Sequence, residues 1–186
     1  YPTTIMGVGS TPGGLCTSWK RGGYTFDGCI QWLNGATPAS PLYSYWLEVG
    51  ALRDGKIFKF PEFKKTEYAA GKFFSTFTDA DWLGAEMHRV APEDHALIEE
   101  FIGAVKRSSN AKIPVDKAFE LFTPLDWIKA GIEAGPLVNT FRRYGKMNVN
   151  EFAARFQSPV LSGLFADMMG IDGKLPVAVL IASAGW

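Results

Sequence analysis

The pattern of apolar and polar positions changes character near Thr78. Before it, apolar residues come in short runs broken by glycine. After it they recur every three or four positions, the spacing of one face of a helix. In the front part, Tyr1 to Val8 reads as a short strand and Gly9 to Gly14 as a loop punctuated by Pro12-Gly13-Gly14. Gly22 to Gly28 alternates small and aromatic residues and reads as an extended segment between tight turns. Ala36 to Pro41 is a loop, and Tyr43 to Leu52 carries a short helical pattern. Lys56 to Phe60 and Lys72 to Phe77 alternate as strands, with the charged Pro61 to Gly71 between them as a long hairpin connection.

The helical body has sharper boundaries. Thr78-Asp79-Ala80-Asp81 has the form of a capping box, followed by Trp82, Leu83, Met87 and Val90 on one face. Ala91-Pro92-Glu93-Asp94 opens a second helix, with proline at its first position and acids in its first turn. Its stripe is Leu97, Ile98, Phe101, Ile102 and Val105, and Lys106 and Arg107 suit its C-terminal end. Thr123-Pro124-Leu125-Asp126 repeats the cap-and-proline start, and Pro136 interrupts the helix begun there. Asn148-Val149-Asn150-Glu151 is another capping box. Ser158-Pro159 begins a helix carrying Leu161, Leu164, Phe165 and Met168 that stops near Gly170, and Leu175-Pro176 starts a last apolar element.

Composition narrows the function classes. With 186 residues, 47% of them hydrophobic and 20% charged, the chain can bury a proper core, which excludes global disorder. Nineteen basic and nineteen acidic residues cancel, leaving no electrostatic footprint for nucleic acid. Aromatics reach 14%. Composition alone favours an aromatic core over a pocket for an apolar ligand. The chain starts in a strand-like run and stops near the apolar Val177 to Ala182, which reads either as a piece of a longer chain or as a mature domain whose last helix docks into its own core. Tyr1 to Lys20 has no signal-peptide pattern, and no apolar run reaches bilayer length. Cys16 and Cys29 form no framework and read as free thiols, which points to the cytoplasm.

Isolated motifs say little. Gly7-Val8-Gly9 starts like a dinucleotide fingerprint, but the third glycine position is Pro12 and no convincing helix comes after it. His88 and His95, the only histidines, lack the HExxH spacing and read as surface or capping residues. Without CxxC or a Cys/His cluster, no metal site is expected. No serine sits in a G-x-S-x-G elbow, and Cys16 as a nucleophile has no support. Glu99-Glu100 reads as a solvated pair, and Met168-Met169 with Phe165 as core. Lys64-Lys65 and Arg142-Arg143 are too small for nucleic-acid patches.

A longer block is more specific. Pro12-Gly13-Gly14-Leu15-Cys16-Thr17-Ser18-Trp19, followed by Gly23-Tyr24-Thr25-Phe26-Asp27-Gly28-Cys29-Ile30-Gln31-Trp32-Leu33, resembles the phytoene desaturase and carotenoid isomerase branch of the FAD-dependent oxidoreductases, a group that includes retinol saturase-like proteins. Asp79 to Leu83, Ala91 to Asp94 and Leu180 to Trp186 resemble the same family more loosely. Two features depart from it. The strand and GxGxxG unit that open the family's cofactor domain would precede Tyr1, and its C-terminal flavin-binding segment is absent. The acid that binds ribose in the family falls on Gly7.

The resemblance implies an internal piece of such an enzyme, α+β or α/β in class. Residues 1–54 would form part of a Rossmann-like FAD-binding domain. Residues 55–186 would form a small hairpin and a mostly helical, incomplete substrate domain. It implies FAD as cofactor, with Gly13, Gly14, Leu15, Thr17, Asp27 and Gly28 along it, and Gln31 and Trp32 near the substrate. The implied activity is desaturation, saturation or isomerisation of an apolar, isoprenoid or carotenoid-like substrate by hydride exchange with the flavin. No catalytic acid or base is singled out. The competing expectation is a non-catalytic domain of that descent that holds an apolar ligand or a partner. Peripheral membrane contact and oligomerisation through exposed edges stay open.

Overall fold

A computed structural model of the chain describes residues 4, 6, 17–28, 33, 35–38, 40, 42–52, 57–112, 115, 117–167 and 173–184. The chain divides into two compact units, Tyr1–Gly55 and Lys56–Trp186. The expected strand at Tyr1 to Val8, the loop at Gly9 to Gly14, both cysteines, Met168-Met169 and Gly170 lie wholly or almost wholly outside the described residues.

In the first unit, strands β1 (Ser18–Arg21) and β2 (Tyr24–Asp27) form an antiparallel hairpin. Gly22 and Gly23 form its turn with φ of 59° and 83°. Positive φ at both central residues is the turn whose twist matches that of paired strands, and glycine reaches it without strain. Trp19 lies opposite Phe26 and stacks on it, with ring centroids 6.0 Å apart. Both strands are exposed throughout. Helix α1 (Tyr43–Glu48) is shorter than the expected Tyr43 to Leu52, because Gly50 turns to a φ of 76° and the chain leaves the helix there.

In the second unit, β3 (Glu62–Ala69) pairs antiparallel with β4 (Lys72–Phe77). This corrects the sequence reading: residues 57–60 are irregular, and the charged stretch taken for a connection is itself the strand. The reason is the turn. Ala70-Gly71, with Gly71 at a φ of 69°, places Ala69 against Lys72, so β4 must pair with the residues just before it. The charges are accommodated because β3 is an edge strand with a wet face. Lys65 and Glu67 are exposed on it, and the Lys65 ammonium stands 5.0 Å from the Phe73 ring centre.

Helix α2 (Ala80–Val90) begins one residue from the expected cap. The Asp79 carboxylate accepts the N–H groups of Asp81 and Trp82, while the Thr78 hydroxyl donates to the carbonyls of Phe60 and Pro61. Leu83, Gly84 and Met87 are buried, but Trp82 is exposed and meets Phe77 edge-on. A 3-10 turn at Pro92–Asp94 leads into α3 (His95–Ser109), whose buried face includes Ile98, Phe101, Ile102 and Val105. The helix expected from Pro92 therefore opens with one turn of 3-10 helix before the α-helix proper.

A 3-10 turn at Phe119–Leu121 precedes α4 (Pro124–Glu133) and α5 (Gly135–Tyr144). Thr123 and Asp126 form the expected capping box, and the chain breaks between the two helices just before Pro136. Next come α6 (Val149–Ala153), capped by Asn148 and Glu151, then α7 (Pro159–Asp167) and α8 (Val177–Ala184). Helix α8 packs on α3, α5 and α6, and the β3–β4 hairpin packs on α2 and α7. Phe101, Phe152, Phe156 and Phe165 form the centre of the core, with Phe101 and Phe165 4.9 Å apart and Phe152 and Phe165 5.2 Å apart. The described chain is therefore α+β, with two antiparallel hairpins and no parallel sheet among the described residues.

Candidate functional site

The β1–β2 hairpin carries three of the positions implicated in cofactor binding. Pairing sets Ser18 opposite Asp27 and continues beyond the strands, where the Gly28 N–H donates to the Thr17 carbonyl at 2.8 Å. Thr17, Asp27 and Gly28 therefore meet at the open end of the hairpin, Thr17 half-buried and the other two exposed. They are brought together because the double-glycine turn fixes the register five residues away. Gly13, Gly14, Leu15, Gln31 and Trp32 lie outside the described residues, as does Gly7.

The residue types at this end suit a large polar cofactor. A hydroxyl, a carboxylate and a position without a side chain lie together, with a backbone pair already satisfied by one another. Gly28, lacking a Cβ, allows another molecule to approach its backbone.

A second constellation lies in the helical unit. His88, in the last turn of α2, and His95, the first residue of α3, have ring centroids 4.7 Å apart. The Glu99 Oε1 atom lies 2.8 Å from His88 Nε2. One ligand atom from each of the three residues lies within 4.8 Å of the others. His88 is half-buried, and His95 and Glu99 are exposed. The hydrogen bond from His88 holds the Glu99 carboxyl below the usual glutamate range, aided by the charges of His95 and Lys106. Sequence spacing missed this group because its members come from two helices. The one available signal was His95 and Glu99 at i and i+4, which share a helix face.

Glu100, the neighbour of Glu99, is not solvated as the sequence suggested. Its carboxylate accepts from Arg155 Nη2 at 2.7 Å and from the Tyr144 hydroxyl at 3.1 Å, and Arg143 Nη2 lies 3.6 Å away. The Arg155 guanidinium first, and Tyr144 with it, hold Glu100 below the usual carboxylate range against the effect of burial. It ties α3, α5 and the end of α6 together and serves the fold.

The most exposed apolar surface of this unit runs along α4 and the turn before it. Leu125 is 77% exposed and Ile132 74%, with Leu121, Trp127 and Ile128 also exposed. Phe119 stacks on Trp127 beside them, and Phe122 meets both rings edge-on, 5.0 Å from Trp127. Among the described residues, no helix is long and apolar enough to cross a membrane. Compared with protein-family models, curated proteins and solved structures, the chain matches none.

Proposed function

We propose that this chain is part of an FAD-dependent oxidoreductase that acts on an apolar, isoprenoid or carotenoid-like substrate. The observation that carries the reading is the Pro12 to Leu33 block, together with the hairpin that joins Thr17, Asp27 and Gly28 at one end. In this reading residues 1–54 are part of a Rossmann-like cofactor domain and residues 55–186 part of the substrate domain. FAD, when bound, supplies the hydride acceptor or donor. Thr17 and Asp27 offer hydrogen-bonding groups to it, and Gly13, Gly14, Leu15 and Gly28 offer close backbone approach. Gln31 and Trp32 border the substrate. A cytoplasmic location, with peripheral contact to a membrane that holds the substrate, goes with this reading.

The test is a flavin titration of the whole protein that carries this sequence, followed by quenching of flavin fluorescence. Saturable binding, weakened by about tenfold or more in Thr17→Val with Asp27→Ala, supports the reading. A protein that neither retains nor binds flavin overturns it. The second reading is a non-catalytic domain of the same descent that holds an apolar ligand. The exposed apolar side chains along α4 favour it. Native mass spectrometry separates the two: co-purified lipid without flavin supports the second reading, and flavin supports the first.

A further inference from the structure

We propose that His88, His95 and Glu99 form a binding site for a divalent transition-metal ion that clamps the end of α2 to the start of α3. The inference stands apart from flavin binding and rests on three observations. First, the only two histidines of the chain converge, with ring centroids 4.7 Å apart and tilted by 34°. Second, a carboxylate completes the set, with Glu99 Oε1 2.8 Å from His88 Nε2 and all three ligand atoms within 4.8 Å of one another. Third, the backbone beneath them is fixed. Leu83 and Met87 on α2 are buried with Ile98 and Ile102 on α3, and the 3-10 turn at Pro92–Asp94 joins the two helices. His95 and Glu99 project from one face of α3, one helical turn apart.

The distances suit such an ion. Metal–nitrogen and metal–oxygen bonds near 2.1 Å in a tetrahedral site separate the ligand atoms by about 3.4 Å. The 2.8 Å pair must open slightly and the wider separations must close by at most about 1.4 Å, which side-chain rotation provides. Binding replaces the proton shared by His88 and Glu99. The ring proton of the neutral His88 imidazole moves from Nε2 to Nδ1, and the freed Nε2 and carboxylate lone pairs turn to the cation. Two imidazoles and one carboxylate select zinc, cobalt or nickel over magnesium and calcium, which prefer all-oxygen sites. Three protein ligands on an exposed surface leave at least one coordination position to water, so the ion exchanges freely. Lys106, whose charge reaches Glu99, is engaged by the Asp81 carboxylate, which tempers its repulsion.

The test uses Co2+ as a spectroscopic probe on the full chain, without added flavin. The expected result is a saturable visible absorption band of low-symmetry cobalt at one ion per chain. His88→Ala and His95→Ala should each weaken binding by about tenfold or more, and Glu99→Gln by a smaller factor. His95 and Glu99 are exposed, so their variants should keep the circular dichroism of the parent. Zn2+ should raise the melting temperature of the parent and leave that of His95→Ala unmoved. No saturable band, or a band of equal strength in His95→Ala, overturns the proposal and leaves a hydrogen-bonded clasp. Loss of flavin binding would move neither readout.

Discussion

Asp94 and Ser158 are joined by a buried hydrogen bond. The Asp94 carboxylate, 4% exposed, accepts the Ser158 N–H at 2.9 Å and the Gln157 N–H at 2.7 Å. A residue in the turn between α2 and α3 thus satisfies free N–H groups at the start of α7. Such groups have no partner within their own helix. Asp94→Ala should destabilise the protein by about 1–3 kcal/mol, since it strands the buried Ser158 N–H and leaves the part-buried Gln157 N–H to water. Urea unfolding measures the change, and a loss under about 0.5 kcal/mol would show that water replaces the carboxylate.

Ser108 and Thr140 make an asymmetric pair between α3 and α5. Their buried hydroxyls lie 2.8 Å apart, and Thr140 also donates to the Pro136 carbonyl at 3.1 Å. Thr140→Val strands the Ser108 hydroxyl and should cost about 1–3 kcal/mol. Ser108→Ala leaves Thr140 with its carbonyl partner and should cost less. Adding Thr140→Val to Ser108→Ala should then cost less than Thr140→Val alone. A double-mutant cycle by chemical denaturation reads this difference, and simple additivity would refute it.

Glu100 gives a pH dependence with a definite sign. Its carboxyl is held below the usual range chiefly by Arg155. The folded state therefore binds its proton less readily than the unfolded chain. The stabilisation is fully present above the ordinary glutamate range and is lost as pH falls through the lower folded value. Glu86 behaves in the same way through its hydrogen bond to Arg89. Replacing Glu100 by Gln should lower stability at neutral pH and flatten its acid decline. An unchanged acid slope in melting temperature against pH would count against this assignment.

Phe152 lies beside four other aromatic rings of the core. Its ring lies 5.2 Å from Phe165, 5.9 Å from Phe156, 6.1 Å from Phe101 and 6.3 Å from Tyr144, and Arg155 stacks over it at 4.9 Å. Phe152→Ala should cost about 3–5 kcal/mol through the cavity it leaves. Phe152→Leu, which keeps more of the volume, should cost clearly less, and guanidinium midpoints will order the two.

Much of the helical unit was legible in the residues. The Thr123–Asp126 and Asn148–Glu151 caps, the Ile98 to Val105 stripe, the break at Pro136 and the helix start at Pro159 obey local rules that tertiary structure did not override. The β3 strand was missed because Lys64, Lys65 and Glu67 look like a solvated connection, and only a partner strand shows that they occupy an edge. Trp82 was misplaced because it lies about 100° around the helix from Leu83 and about 140° from Met87, off the buried face. The convergence of His88, His95 and Glu99 was invisible because it depends on how α2 meets α3. The grouping of Thr17, Asp27 and Gly28 was half legible: the glycines marked the turn, but the pairing partner had to be seen.

Helix α8 sets the order in which this unit can form. Val177, Leu180 and Ile181 are buried, and the helix fills the space between α3, α5 and α6. The chain just before it is also stitched in place, because the Val149 N–H donates to the Leu175 carbonyl and the Val177 N–H to the Met147 carbonyl. During synthesis on a ribosome, α3 emerges long before α8. The α2 and α5 helices can cover part of its apolar stripe as they emerge, but the part that α8 covers stays open until residue 184 has cleared the exit tunnel. A nascent chain stalled short of that point exposes the side of α3 and α5 that α8 covers, and chaperone binding to such stalled chains should fall once α8 has been delivered.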